Sequence, residues 1–113
     1  MPITVQSAKA KGRRLQQWVR DTLLRLFPML EKDDIRSTSM GAGGEDIQLS
    51  PAARRKVPYS VECKSLAKIA VYTLYEQAVT NAGKHEPLLI IKANGKKPLA
   101  IVDATHFFEL VRG

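Results

Sequence analysis

The tetrapeptide Val61-Glu62-Cys63-Lys64 alternates apolar and charged residues with a period of two. In an extended strand, the side chains at i and i+2 emerge on the same face. We therefore expect Glu62 and Lys64 to lie together on one face, while Val61 and Cys63 point into an apolar layer on the other. The strand thus requires a core against one face and leaves a carboxylate and an ammonium group side by side on the opposite face.

The rest of the chain provides enough apolar residues for one modest core. Its 113 residues are 44% hydrophobic, which predicts a single domain over 1–113. Eighteen Lys and Arg against eleven Asp and Glu give a net charge of +7. A small domain with this charge is expected to bind a polyanion, and nucleic acid is the leading candidate. An acidic membrane surface is disfavoured because no basic helix also carries a broad apolar face for lipid.

Compartment and redox state follow from two further features of the sequence. No apolar run approaches the roughly 18 residues of a membrane span, and the N-terminus lacks the apolar segment of a signal peptide. We therefore expect an intracellular, cytoplasmic protein. The single cysteine excludes an internal disulfide, and without a second cysteine nearby a structural zinc site is not expected.

Periodicity along the chain predicts eight elements in the order helix, three strands, helix, two strands, helix. The first helix is expected at 8–30, with its apolar face formed by Leu15, Trp18, Val19, Leu23, Leu26 and Leu30. The strands are expected at 33–37, 46–49, 59–64, 87–91 and 99–102, and the first three would form a meander. The second helix, at 66–82, would be capped by Ser65 and Gly83, and the last, at 105–111, by Thr105. This order favours an α/β fold with a central mixed β-sheet flanked by helices.

The predicted meander would bring two carboxylates together. Asp46 on its second strand and Glu62 on its third could meet across a hairpin, at about 5 Å. Such a pair repels unless a cation lies between them, and carboxylate oxygens are suitable ligands for Mg²⁺ or Mn²⁺. The backbone carbonyl of Cys63 could complete the shell. Lys64 could orient a water molecule or stabilise negative charge that develops on a phosphate during hydrolysis.

Taken alone, Glu62 and Lys64 are equally compatible with a surface ion pair, which is common on sheets. Several features occur together, however: an aspartate on the preceding strand, a helix directly after the E-x-K strand, and basic surroundings. The other characteristic segments are Lys11-Gly12-Arg13, Arg36-Ser37-Thr38-Ser39 before a glycine loop, Asp46-Ile47, Glu62-Cys63-Lys64-Ser65 and Gln77-Ala78. Over nearly its whole length, the chain resembles the PD-(D/E)xK nuclease superfamily, and within it the archaeal-type Holliday junction resolvases and similar small phage endonucleases.

This resemblance implies a restriction-endonuclease-like core and a Mg²⁺- or Mn²⁺-dependent endonuclease acting on branched or duplex DNA in phage or bacterial DNA processing. It implies that Asp46 and Glu62 bind metal and that Lys64 is catalytic. Ser39 would lie near the DNA, and Gln77 near a metal-bound water or the scissile phosphate. It also implies a homodimer, because a four-way junction presents two equivalent strands to be cut.

The resolvases usually carry a glutamate in the first helix where this chain has Gln16. An amide oxygen can coordinate a cation but supplies no charge, so Gln16 would be either a neutral ligand or a residue that orients water. The basic residues expected to contact phosphates are Lys11, Arg13, Arg14, Arg54 and Arg55. A solvated basic face is the simpler interpretation of these side chains.

Other functions are less compatible with the sequence. The glycine loop lacks the spacing of a phosphate-binding P-loop, so no nucleotide cofactor is expected. Glu45 is expected to face solvent, because its neighbour Asp46 faces the site. A catalytically silent nucleic-acid-binding module, or a nicking or flap nuclease of the same fold, remains open.

Overall fold

The strands of the protein form two sheets of different size. The structure, a computed structural model, describes residues 5–38, 44–67 and 69–113. The helices are α1 (Val5–Leu26), α2 (Pro51–Lys56), α3 (Val71–Ala82) and α4 (Ala104–Arg112), with a 3-10 turn at Lys32–Asp34. The strands are β1 (Ile35–Ser37), β2 (Ile47–Leu49), β3 (Tyr59–Leu66), β4 (Glu86–Ala93) and β5 (Leu99–Ile101). No helix in these ranges is both long enough and apolar enough to cross a membrane.

The larger sheet has the order β3-β4-β5, with β3 parallel to β4 and β5 antiparallel to β4. The crossover between the parallel strands runs through α3, as parallel pairing requires. The predicted α/β fold with a mixed sheet is therefore confirmed at this level. In the parallel register, Glu62 lies beside Leu89 and Lys64 beside Ile91.

Alternation along β3 and β4 divides the core between the two faces of this sheet. On one face Val61 and Cys63 pack with Leu15 and Val19 of α1, as expected for a small buried cysteine. On the other face, buried residues of α3 pack against β4, in a cluster formed by Leu74, Ala78, Leu89 and Ile91. Glu62 and Lys64 belong to the α3 face, because their register partners on β4 do.

The predicted three-stranded meander is wrong. β1 and β2 form a separate antiparallel sheet, and the segment expected to be a plain connection contains α2. This helix is capped by Ser50, whose hydroxyl accepts a hydrogen bond from the Ala53 backbone N–H at 3.1 Å, and Pro51 is its first residue. Because α2 carries the chain away after β2, the strands β2 and β3 do not form a hairpin.

The predicted starts of two helices also change. β3 continues to Leu66, so Ser65 is a strand residue and caps no helix, and α3 begins at Val71. α4 is capped by Asp103, whose carboxylate accepts a hydrogen bond from the His106 backbone N–H at 3.0 Å, and not by Thr105. Gly83 ends α3 with φ of 58°, a conformation that favours glycine, as predicted.

The first helix begins earlier and ends earlier than the predicted range 8–30, and its predicted apolar face is less buried than expected. It ends at Leu26, two residues before Pro28, which cannot continue the hydrogen-bond ladder. Two members of that face are exposed: Trp18 by 47% and Leu26 by 65%. The residues of α1 that are buried in the core form a narrower set, which includes Leu15 and Val19.

Candidate active site

Asp46 lies directly before β2 and is bonded to β3. Its carboxylate oxygen Oδ2 accepts a hydrogen bond from the Cys63 backbone N–H at 2.8 Å. Its own backbone N–H donates to the carbonyl oxygen of Val61 at 3.1 Å. These two bonds bring Asp46 next to Glu62, although the hairpin that was expected to do so does not exist.

Glu62 is buried, with 5% of its surface exposed, and has two polar neighbours on its own side of the sheet. Its Oε1 lies 3.5 Å from the Lys64 ammonium nitrogen, which is the same-face pair that the alternation predicts. Its Oε2 accepts a hydrogen bond from Asn81 Nδ2 of α3 at 3.3 Å. The carboxylate is thus held from two sides, by the next charged residue of its strand and by the crossover helix.

Burial makes both carboxylates harder to ionise. It raises the pKa of Glu62, and the nearby charge of Asp46 raises it further, while Asn81 and Lys64 act in the opposite direction. Burial likewise raises the pKa of Asp46, against the hydrogen bond from the Cys63 N–H and the charge of Lys64. A cation between the two carboxylates would offset both the desolvation and the mutual repulsion.

The donor set fits a hard divalent cation with an incomplete protein shell. Among the described residues, no three Asp, Glu, His or Cys side chains are grouped so that they could hold a metal ion. Mg²⁺ commonly uses one or two carboxylates and takes its other ligands from water and substrate phosphates. Asp46 and Glu62 meet that requirement. The ligand role of the Cys63 carbonyl stays a prediction.

A cleft of about 390 Å³ opens beside these residues, and we refer to it as the carboxylate cleft. Its lining includes Asp46, Glu62, Lys64 and Asn81, together with Lys9, Gly12 and Gln16 of α1. Gln16 is buried, with 3% of its surface exposed. Gln16 therefore lies in the same cleft as the two carboxylates.

Gln77 is exposed on α3 and lines a neighbouring hollow that also contains Glu62, Lys64 and Asn81. The structure thus brings it to the edge of the site. Asn81 lies one helical turn after Gln77, and it is Asn81 that contacts Glu62.

The basic residues predicted to bind phosphate do not line the carboxylate cleft itself. Lys11 and Arg14 line a different groove, while Arg13 and Arg55 are exposed on α1 and α2. Arg54 is only partly exposed, because its side chain forms an ion pair and a hydrogen bond within the protein. Ser39 and the glycine loop at 39–43 lie outside the described residues.

The ion pair of Arg54 corrects the expectation for Glu45. Glu45 Oε2 lies 2.7 Å from Arg54 Nη2, and the two side chains are only 21% and 22% exposed. Arg54 also donates a hydrogen bond to the carbonyl oxygen of Tyr59. The prediction that Glu45 faces solvent is therefore wrong, because α2, a helix that the sequence analysis did not predict, places Arg54 opposite it.

Sequence reasoning missed two residues of the cleft. Asn81 follows Gln77 by four positions, so the two share a face of α3, and that spacing is the signal that could have found it. Lys9 precedes Gly12 by three positions and Gln16 by seven, and it lies on the flank of α1 that faces the carboxylates. Its spacing from the glycine was a usable signal as well.

Comparison of the chain with protein-family models, with curated proteins and with solved structures finds no significant match in any of the three.

Proposed function

We propose that the protein is a Mg²⁺- or Mn²⁺-dependent DNA endonuclease with a restriction-endonuclease-like core. The observation that carries this proposal is the carboxylate cleft itself, where Asp46 and the buried Glu62 lie next to each other and next to Lys64. The cleft belongs to a chain of net charge +7, which suits a polyanionic substrate.

Four side chains of the cleft would take part in phosphodiester hydrolysis. Asp46 and Glu62 would hold the cation, which when bound neutralises charge on the phosphate and lowers the pKa of water. Lys64, whose side chain is 30% exposed, has the reach to donate a hydrogen bond to a nonbridging phosphate oxygen or to the attacking water. Asn81 fixes the orientation of Glu62.

The choice of DNA substrate rests on the resemblance to the resolvases and not on the geometry of the cleft. A resolvase-like enzyme would cut a four-way junction as a symmetric homodimer, with one cleft for each of the two strands. Nicked, flapped and plain duplex DNA are the other substrates open to such a fold. A sedimentation measurement that found a monomer both free and on DNA would contradict the resolvase assignment.

The test compares cleavage of four-way junction, flap, nicked and plain duplex DNA at matched salt, with Mg²⁺ or Mn²⁺. We expect Lys64→Ala to lose at least about a hundredfold in cleavage rate while it still binds DNA, because removing one charge-stabilising donor has effects of that size. Lys84→Ala is the matched control, since Lys84 is an exposed lysine after α3 and lines neither cleft nor groove. Equal cleavage by Lys64→Ala and wild type would contradict the proposal.

A second candidate is a catalytically silent nucleic-acid-binding module. The Glu62–Lys64 ion pair and the lack of a third acidic ligand among the described residues favour it. If none of the four substrates is cut with either metal, while DNA affinity falls steeply with salt, the binding module is the correct assignment.

A further inference from the structure

A second groove runs along another face of α1, next to the carboxylate cleft. It has a volume of about 540 Å³, and we call it the Trp18 groove. The residues that define it are Lys11, Arg14 and Trp18 of α1, Ser65 of β3, Lys92 of β4, and Asn94 in the turn after β4. Neither the catalytic residues nor the proposed cation ligands lie in it.

The groove is positively charged and already shaped. Lys11, Arg14 and Lys92 line it, and none of the described residues around it is acidic. The Lys11 ammonium donates a hydrogen bond to Asn94 Oδ1 at 2.9 Å, which ties α1 to the β4–β5 turn. Charge of one sign in a concave surface raises the local concentration of an anionic ligand.

Trp18 gives this basic groove an aromatic surface. It follows Arg14 by four positions and Lys11 by seven, so the three side chains share a face of α1. Its side chain is 47% exposed, above Leu15, which is buried. A purely apolar ligand would leave the three cations unused, whereas a nucleotide offers both a flat base and a phosphate.

Ser65 connects the groove to the carboxylate cleft, because it lines both. It directly follows Lys64 in β3 and is the register partner of Lys92. A DNA strand bound at Lys64 would therefore enter the groove past Ser65, next to Lys92.

We propose that the Trp18 groove binds an unpaired nucleotide next to the phosphodiester that is cut, with the base stacked on Trp18 and the backbone held by Arg14 and Lys92. A base inside an intact duplex has no free face to offer. The inference rests on the proposed nuclease function and narrows its substrate to DNA that has an unpaired nucleotide beside the cut, as in a flap, or that exposes one when a base pair opens at the centre of a junction.

Intrinsic fluorescence tests the stacking directly, because Trp18 is the only tryptophan of the chain. A single strand of about 8 nucleotides, a length typical of single-strand binding sites, is added to the full chain in EDTA, so that no cleavage occurs. We expect the strand to quench Trp18 emission and a blunt duplex of equal length to quench it much less. Polyglutamate of matched charge is added in a separate titration. It tests whether the groove binds an acidic protein segment instead of a nucleotide.

Variants then measure what the stack contributes. By anisotropy of a labelled strand, Trp18→Ala should bind about tenfold more weakly or worse, as expected for the loss of one stacked base. Trp18→Phe, which keeps an aromatic ring, should retain most of the affinity and separates stacking from misfolding. Tyr72→Ala is the control, since Tyr72 is 86% exposed on α3 and lies outside both the cleft and the groove.

The outcomes separate this inference from the nuclease proposal. Quenching by the single strand with no cleavage of any DNA in Mg²⁺ or Mn²⁺ supports the nucleotide groove and overturns the nuclease. Lys64-dependent cleavage without quenching, and with unchanged affinity in Trp18→Ala, overturns the groove and leaves the nuclease standing. Equal quenching by blunt duplex overturns the preference for unpaired nucleotides, and equal quenching by polyglutamate overturns a nucleotide as the occupant.

Discussion

The carboxylate cleft and the Trp18 groove follow two faces of the same helix and share Ser65, but their charges differ. The cleft sets Asp46 and Glu62 side by side, and burial raises the pKa of both. The groove instead gathers cations and an exposed tryptophan, with no acidic side chain among the described residues that line it. We interpret the cleft as a site for a cation and for phosphodiester hydrolysis. We interpret the groove as a site that binds a polyanion.

The cleft and the groove also differ in their effect on the stability of the fold. Neighbouring carboxylates that are partly or fully buried oppose folding when both are charged, whereas lysines and an arginine at a surface groove cost little. A protein that retains such an unfavourable pair gains from it elsewhere, typically in function.

Removing one negative charge from the cleft should nearly abolish cleavage. Glu62→Gln keeps the shape of the side chain and an acceptor for Asn81, but weakens cation binding. A loss of roughly 4 kcal/mol of transition-state stabilisation corresponds to about a thousandfold in rate. Cleavage of a labelled junction at saturating DNA measures it, and Glu109→Gln on α4 is the control, since Glu109 is an exposed glutamate. A rate within twofold of wild type would show that the cleft is not catalytic.

Divalent metal should stabilise the wild-type fold through the cleft. At a free Mg²⁺ concentration about ten times Kd, binding adds about 1.4 kcal/mol. For a domain of this size, that free energy corresponds to a rise in Tm of about 5 °C. Asp46→Asn should show no such rise, and without metal it should melt at least as high as wild type, because the repulsion with Glu62 is gone. An equal Mg²⁺-dependent shift in both proteins would place the metal elsewhere.

Loss of the contact from α3 should have a smaller effect on the cleft. Asn81→Ala removes the hydrogen bond to Glu62 Oε2. One such bond contributes about 1 kcal/mol, or roughly fivefold in cleavage rate. Tyr72→Ala is the control on the same helix, since Tyr72 is exposed and lines neither the cleft nor the hollow beside Gln77. Identical rates in Asn81→Ala and wild type would mean that Glu62 needs no support from α3.

The groove should show its contribution in the salt dependence of binding. Removing one phosphate contact from a single strand lowers the slope of log affinity against log salt by about 0.7. Lys92→Ala should therefore bind more weakly than wild type at low salt, but lose roughly threefold less affinity than wild type across a fourfold rise in salt concentration. Lys84→Ala should keep the wild-type slope. Parallel slopes for all three proteins would remove Lys92 from the DNA path.

The local pattern of the sequence predicted some of this arrangement, and tertiary structure supplied the rest. Alternation in Val61-Glu62-Cys63-Lys64 is a property of the strand itself, so it predicted both the buried face and the ion pair. The predicted meander is wrong because Ser50-Pro51, a capping residue followed by proline, starts a helix between β2 and β3. Hydrogen bonds to the backbone of β3 hold Asp46 next to Glu62, and the rules of strand pairing do not predict those bonds.

The exposure of Trp18 shows a further limit of periodicity. Helical spacing assigned it to the apolar face, but that spacing cannot show where a neighbouring strand ends. Because the β4–β5 turn and Lys92 border this part of α1, the helix faces a basic groove there and not a closed core.

The central claim is that Asp46 and Glu62 act together with Lys64 in cutting DNA. The most direct measurement is single-turnover cleavage of a prebound four-way junction, started by adding Mg²⁺ or Mn²⁺, for wild type and Asp46→Asn. The asparagine retains an oxygen acceptor for the Cys63 N–H, so both proteins should bind the junction equally. We predict that the variant cuts at least about a hundredfold more slowly, because the cation supplies several kcal/mol of charge stabilisation. Equal affinities with equal cleavage rates would contradict the account.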